Sequence, residues 1–288
     1  MTASKNDDLD PHAILQTLGL TDVIAITPVS GGSDTAIWQV KRAAEIYALR
    51  VFRDGEHDVC EREQMVMQAT MLAGLPVPQV HAAGTWRNHP ALLLSWLPGW
   101  PVTDELRMRP WRAWQLGALF GRMHAAIHTL QAPGILQNHP DAWIDWLGPD
   151  EQSLQECLRS IDHRVDVLLH LDYHPLNVLT DGKSITGILD WRNARAGDPR
   201  ADAARTISIL RVDRVGRSPV LESAVRRVFE QGWRNGYERK GTPLGDLSLF
   251  YAWAGAVMER DLAPKREPED LARIHHWAMK WKERAQCI

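Results

Sequence analysis

The stretch from His170 to Asp190 constrains the fold of this chain more than any other. It reads His-Leu-Asp-Tyr-His-Pro-Leu-Asn, then Val-Leu-Thr, Asp-Gly-Lys-Ser and Ile-Thr-Gly-Ile-Leu-Asp. An Asp181-Gly182 pair between two apolar runs is a strong β-hairpin signal. A hairpin brings the chain back to where it left, so Asn177 at its entry and Asp190 at its exit are expected to converge. Asp172 lies on the preceding loop, two residues after His170 and five before Asn177. A loop carboxylate can orient an alcohol and accept its proton. A neutral oxygen from Asn177 and a charged one from Asp190 are hard ligands suited to Mg2+, which keeps waters and phosphate oxygens as its other ligands. Phosphoryl transfer to a hydroxyl needs this combination, because charge spreading over the phosphoryl oxygens must be neutralised while the alcohol is held in line.

These residues resemble the catalytic loop and metal-binding aspartate of the aminoglycoside phosphotransferase and choline kinase-like families, within the protein-kinase-like superfamily. Asp190-Trp191, followed by Gly197-Asp198-Pro199 and Asp202, resembles the bacterial aminoglycoside phosphotransferase-like branch in particular. The resemblance implies an α+β, two-lobed fold. Residues 1–98 would form a nucleotide-binding lobe of about five antiparallel strands and one main helix. Residues 99–288 would form a mainly helical lobe with the catalytic loop and acceptor site, the nucleotide lying in the cleft. It further implies ATP or GTP as co-substrate, Asp172 as the catalytic base, and Asn177 with Asp190 as the Mg2+ ligands. His124, His170 and His174 match structural positions of the family, and Asp202 matches an aspartate that braces the catalytic-loop backbone.

The N-terminal third reads accordingly. A short helix capped by Asp10 precedes β-branched, aromatic-rich runs at 24–29, 36–40 and 46–52, each a strand. Gly31, Gly32 and Ser33 join the first two, and glycines there let backbone N–H groups approach a phosphate. Arg50 stands on the third strand where the resembled fold carries a phosphate-pairing lysine. It keeps the charge, but a planar fork alters the contact geometry. A helix over 59–73 ends at Gly74 and the following prolines. It offers Glu63, with Glu61 as the competing choice, to hold Arg50. Strands at 81–86 and 91–96 lead to Leu97-Pro98-Gly99, a hinge at which backbone groups of Ser95, Trp96 and Leu97 face an adenine edge.

From Pro110 the apolar spacing turns helical, giving one long helix to about 130 and more helix over 141–158, interrupted at Gly148-Pro149. Helices are expected at 201–210, 220–239, 244–262 and 267–284. Asp213, Trp253, Glu259 and Asp261 are candidates to line an acceptor pocket. Most of the thirteen tryptophans fall at helical spacing and read as core.

Composition narrows the partners. A net charge of −3 with mixed signs gives no broad basic surface for nucleic acid. No run is apolar enough to span a bilayer, and the first residues lack the apolar core of a signal peptide. Cys60, Cys157 and Cys287 are few, odd in number and far apart, which speaks against a disulfide framework or a zinc cluster. The expectation is a cytoplasmic protein whose partners are a nucleoside triphosphate and a small-molecule alcohol, with neither nucleic acid nor membrane. Two other readings exist. His124 and His128 share a helix face and, with His170, Asp172 and His174, have spacing compatible with a metal hydrolase, though the glutamate of a zincin helix is missing. A kinase-like nucleotide-binding protein without catalysis is the other, on the strength of Arg50.

Overall fold

The structure, a computed structural model, describes residues 9–29, 35–137, 143–212, 219–241 and 243–286. The chain divides into two compact units, Met1–Pro98 and Gly99–Ile288.

In the first unit, α1 (Pro11–Thr17) starts where Asp10 accepts the amides of His12 and Ala13 at 2.9 and 3.2 Å, a side-chain cap on otherwise orphaned donors. There follow β1 (Ala25–Pro28), β2 (Ala36–Arg42), β3 (Glu45–Val51), α2 (His57–Leu72), β4 (Val80–Trp86) and β5 (His89–Ser95). They form one antiparallel sheet in the order β1-β2-β3-β5-β4. The apolar run Ala91 to Leu94 is buried throughout, as expected of a strand with a neighbour on each side. On β3, Tyr47, Leu49 and Val51 join Trp38, Val40, Leu93, Ile14 and Leu15 in one core. Arg50, of the opposite parity, lies in register between Ile37 and Leu92. Residues 30–34, with the expected phosphate-loop residues Gly31, Gly32 and Ser33, fall outside the described residues.

The second unit runs β6 (Trp100–Pro101), α3 (Val102–Met108), α4 (Ala113–Ile127), α5 (Gly134–Gln137), α6 (Gln152–Ser160), β7 (Val167–Leu169), β8 (Val178–Thr180), β9 (Ile185–Ile188), β10 (Arg195–Gly197), α7 (Pro199–Val212), α8 (Pro219–Glu238), α9 (Ser248–Leu262) and α10 (Pro268–Ala285). Its strands make two small antiparallel sheets, β6-β8-β9 and β10-β7. No described helix is long and apolar enough to cross a membrane.

The fold departs from the sequence reading in four places. The helix expected from 110 begins as a 3-10 turn over Pro110–Arg112, with α3 as a separate helix before it. The buried Glu105 gathers Trp100 Nε1, Arg109 Nη1 and Arg112 Nη1 at 2.9–3.0 Å, which turns the chain between the two. Between 144 and 151 the structure has two 3-10 turns, and α6 starts only after Gly148-Pro149. The β8–β9 connection spans four residues, since Thr180 pairs with Ile185. There Asp181 Oδ1 accepts the amides of Lys183 and Ser184, both at 2.7 Å, and Gly182 takes φ +85°. Finally, Cys60 is buried and free while Cys157 is disulfide-bonded.

Helices α4 and α8 pack closely enough to exclude a Cβ at four glycines. Gly117 and Gly121 of α4 meet the backbone at Phe229 and Trp233, and Gly232 and Gly236 of α8 meet it at Trp114 and Ala118. A Cβ on Gly121 would stand 2.0 Å from the Trp233 carbonyl oxygen. Helix propensity alone favours Gly→Ala by about 1 kcal/mol, but overpacking costs about 1–3 kcal/mol, and a clash with rigid backbone belongs at the upper end of that range. Gly121→Ala is therefore expected to lower the melting temperature. A thermal melt in which the variant matches or exceeds the parent would refute this packing.

Candidate active site

β7 is paired with β10, Leu169 opposite Arg195, and delivers the chain into the loop from His170 to Asn177. Two non-glycine residues here adopt left-handed backbone: Leu171 at φ +59° and Asp190 at φ +62°. Such conformations cost energy and persist only where neighbours fix them. For Leu171 the neighbours are on α7. Asp202 Oδ2 accepts the His170 amide at 2.6 Å and Oδ1 the Leu171 amide at 2.9 Å. Arg205 Nε donates to the Leu171 carbonyl at 2.6 Å and Thr206 Oγ1 to the Tyr173 carbonyl at 2.9 Å. Positions 202, 205 and 206 share one helix face, so a single turn of α7 grips the loop at three successive points. Arg205 and Thr206 are the residues that motif reading overlooked. The helical spacing from Asp202 was the signal for them.

Asp172 is held within this frame. Asn177 Nδ2 donates to its carbonyl and to its Oδ2, both at 3.1 Å, and His174 Nε2 stands 3.6 Å from Oδ2. The carboxylate side chain remains 24% exposed. Burial pushes its carboxyl up, but the His174 ring beside it and the positive charge of Arg205 prevail and hold it at about 2. It is therefore ionised at any physiological pH: a good acceptor for a hydroxyl hydrogen and a weak base. His170 links this loop to the hairpin exit. Its Nδ1 accepts the Asp172 amide at 3.3 Å, and its Nε2 donates to the Leu189 carbonyl at 3.0 Å, a tautomer assigned from those two partners. Burial keeps this imidazole below its usual range, hence neutral. Val178 pairs with Ile188, and the Leu189 amide donates to the Asn177 carbonyl at 2.8 Å. The hairpin base thus places Asp190 one residue beyond a direct bond to Asn177.

His124 and His128 do not join Asp172 and His174, which removes the single metal set that a hydrolase reading needs. They turn to Asp202 instead, at 3.3 and 3.2 Å from its Oδ2, and their ligand atoms with that carboxylate lie within 4.8 Å of one another. The Trp233 indole donates to His124 Nδ1 at 3.3 Å, so the ring proton is on Nε2, facing Asp202. The Tyr237 hydroxyl occupies His128 Nδ1 at 2.6 Å. The imidazoles therefore present N–H groups to Asp202, not lone pairs to a cation. Burial drives His124 down to about 4. Burial also opposes the Asp202 charge, yet His124 and His128 hold its carboxyl well below the usual carboxylate range. Asp198 is likewise structural, accepting the Arg164 and Arg200 amides at 3.0 and 2.8 Å.

In the first unit, Arg50 Nη1 meets Glu63 Oε1 at 3.0 Å, the side chains 8% and 0% exposed. Glu63 shares the buried stripe of α2 with Val66, Met67 and Thr70, whereas Glu61 faces outward. The helical period decides between the two glutamates. At the end of β5, the Ser95 amide donates to the Gln79 carbonyl at 2.9 Å and the Trp96 amide to the Ile46 carbonyl at 3.3 Å. Leu97 follows them, half-buried.

Of the acceptor candidates, Trp253 is core, donating to the Trp143 carbonyl at 2.9 Å. Asp261 pairs with Arg205 at 3.4 Å and with Arg260 at 2.6 Å, and Glu259 pairs with His275 at 2.9 Å. Asp213 lies outside the described residues.

Comparison with known proteins gives a family and a fold. A family model described as the phosphotransferase enzyme family matches residues 25–240. No curated protein matches the sequence. Among solved structures, aminoglycoside phosphotransferase APH(4)-Ia aligns with a TM-score of 0.67 at 16% identity, covering 94% of this chain and 96% of that one. Spectinomycin phosphotransferase APH(9)-Ia aligns at 0.59 and 14%, covering 96% and 98%. Macrolide 2'-phosphotransferase MphH from Brachybacterium faecium aligns at 0.51 and 19%, covering 93% and 96%. At such identities the likeness is one of fold, the kinase-like α+β fold expected from the sequence.

The buried histidines give the protein an acid limit. His124 titrates at about 4 when folded, against 6.5 ordinarily, so the unfolded chain takes up the proton first and stability falls as pH drops from 6.5 towards 4. The depressed Asp202 carboxyl adds a loss of the same sign at lower pH. Melting temperature should therefore decline between about pH 7 and about pH 5. The decline should shrink in His124→Gln, and a flat profile in the parent would contradict the buried neutral imidazole.

Proposed function

The chain belongs to the phosphotransferase enzyme family, and on that premise we propose that it transfers the γ-phosphate of ATP or GTP to a hydroxyl of a small molecule with the help of Mg2+. The observation that carries the reading is the braced loop, in which an ionised, partly exposed Asp172 is tied to Asn177 while the hairpin returns Asp190 beside it. The structural relatives support the substrate classes. APH(4)-Ia in a thermostable mutant form was crystallised with AMP-PNP and hygromycin B, and APH(9)-Ia with ADP and spectinomycin.

The donor set fits the metal. Asn177 uses its Nδ2 on Asp172, so its Oδ1 is the atom available to a cation, and Asp190 adds a charged oxygen. Two oxygen donors suit Mg2+, which when bound neutralises charge on the nucleotide phosphates. The chain's own residues do the rest. Asp172 accepts the hydrogen of the acceptor hydroxyl and aims its oxygen at the γ-phosphorus. A bond forms between them as the bond to the bridging oxygen of the nucleoside diphosphate breaks. With a carboxyl at about 2, Asp172 takes the proton late, once the alcohol oxygen has become acidic by bonding to phosphorus. Arg50, oriented by Glu63, supplies positive charge to the nucleotide phosphates. Because the Ser95 and Trp96 amides are engaged within their own unit, adenine recognition here falls to the Leu97 amide and the nearby carbonyls.

Acceptor-dependent ADP release, screened over a panel of hydroxylated antibiotics, sugars and amino alcohols, tests the proposal. Asp172→Asn should lower kcat by about a hundredfold or more with nucleotide affinity and melting temperature little changed. Undiminished turnover by that variant would end the catalytic assignment.

Arg205 gives a second, independent check as a positioning residue. Arg205→Met releases the Leu171 carbonyl and removes a charge that depresses Asp172. The expected result is a lower kcat at unchanged nucleotide KM, with the acid limb of the pH profile moved upward and partly restored in Arg205→Lys. An unmoved acid limb would mean that Arg205 only packs.

A further inference from the structure

The five-stranded sheet of the first unit ends in two edge strands of different character. One edge, β1, is four residues long and closes on Pro28, which has no N–H to offer a further strand. The other edge, β4, is seven residues long and holds no proline, lysine, arginine or carboxylate. An open edge is a template for another strand, and proteins commonly blunt it with charge, proline or a bulge. β4 has a bulge between Val80 and Ala82, but beyond it residues 82–86 keep a regular register with β5.

The ladder shows which main-chain groups lie at that edge. The Ser95 amide reaches the Gln79 carbonyl, whereas the Trp96 amide reaches the Ile46 carbonyl, so successive residues of β5 address β4 and β3 in turn. His89, Ala91 and Leu93 share the parity of Ser95, and opposite them stand Trp86, Gly84 and Ala82, whose bonding groups the ladder consumes. Ala83 and Thr85, in between, turn N–H and C=O away from β5, and both residues are exposed. Among the described residues nothing bonds to those outward groups. A solvated edge of this kind is the ordinary state of an open sheet. Here, however, the edge is complementary to itself.

We propose that β4 is an interface with a second copy of this chain, the two strands pairing antiparallel about a two-fold axis at Gly84 so that one sheet runs through both molecules. In this register Ala83 of each copy stands opposite Thr85 of the other, and every such pair exchanges N–H···O=C bonds in both directions. Ala82 stands opposite Trp86, small against large, on the side of the sheet that packs on α1. Gly84 carries no side chain at the axis because Leu18 of α1 occupies that space, its Cδ2 2.8 Å from where a Cβ would stand. The nearest cation, Arg87, lies in the turn beyond β4 and covers the Trp86 ring at 4.5 Å, outside the paired stretch. An isologous contact needs the same residues to serve on both sides. β4 does so with no like charges meeting, and it offers no countercharge to a charged segment of another protein. The contact is small, which suits a weak and reversible dimer.

Sedimentation equilibrium of the full chain over a concentration series tests this, and the wild type is expected to dimerise reversibly. In Ala83→Lys/Thr85→Lys every lysine faces a lysine of the other copy, and the dimer dissociation constant should rise by about tenfold or more. In Ala83→Glu/Thr85→Lys every glutamate faces a lysine, and the constant should stay within a fewfold of wild type. Both variants change exposed positions, and equal melting temperatures in dilute solution would show that all three proteins are folded. A wild type that stays monomeric up to about 300 µM overturns the proposal. So does a double-lysine variant that dimerises as the wild type does, or a glutamate–lysine variant no better than the double-lysine one.

Discussion

The carboxylate of Asp202 is the interaction on which the second unit depends. It is wholly buried, and it takes the backbone amides of His170 and Leu171 on one side and faces the imidazoles of His124 and His128 on the other. A buried charge persists only if its surroundings supply this many donors. Stripping it of partners, or them of it, typically costs about 3–5 kcal/mol. The left-handed turn at Leu171, the position of Asp172 and the attitude of α7 all follow from where that charge sits. Even the close approach of α4 and α8 belongs to the same arrangement. It places Trp233 and Tyr237 against His124 and His128, setting the tautomers that turn N–H groups towards Asp202.

The sequence was most legible where periodicity and chemistry agreed. Alternating runs on β2 and β3 and the continuous run on β5 described the five-stranded sheet, and helical period alone distinguishes the inward Glu63 from the outward Glu61. The hairpin was legible because Asp-Gly between apolar runs has few other uses, although the turn itself is a four-residue loop closed by the Asp181 side chain.

What escaped reading depended on tertiary partners. Helix α3 is seven residues long and carries at its middle a buried carboxylate, Glu105, whose arginine partners come from beyond the helix. His124 and His170 both read from the sequence as structural histidines. Only the fold shows that one faces Asp202 beneath the loop and the other bridges the loop to the hairpin. Arg205 carried no motif, and its importance appears only once the Leu171 carbonyl is seen to need a donor.

The hairpin base has a consequence for how such sequences can diverge. Its register is fixed at the bottom, by the Val178–Ile188 pair and the Leu189 to Asn177 bond, and its far end is held by the local turn around Asp181 and by Arg112, whose Nη2 donates to the Gly182 carbonyl. Residues added to the tip leave both ends of the hairpin in place, at the small entropic cost of a longer surface loop. The interval from Asn177 to Asp190 is therefore elastic. The interval from Asp172 to Asn177 is not, because the Asn177 side chain spans it directly to both the backbone and the carboxylate of Asp172. Two spacings that look equivalent as text are, in the folded chain, a hinge and a ruler.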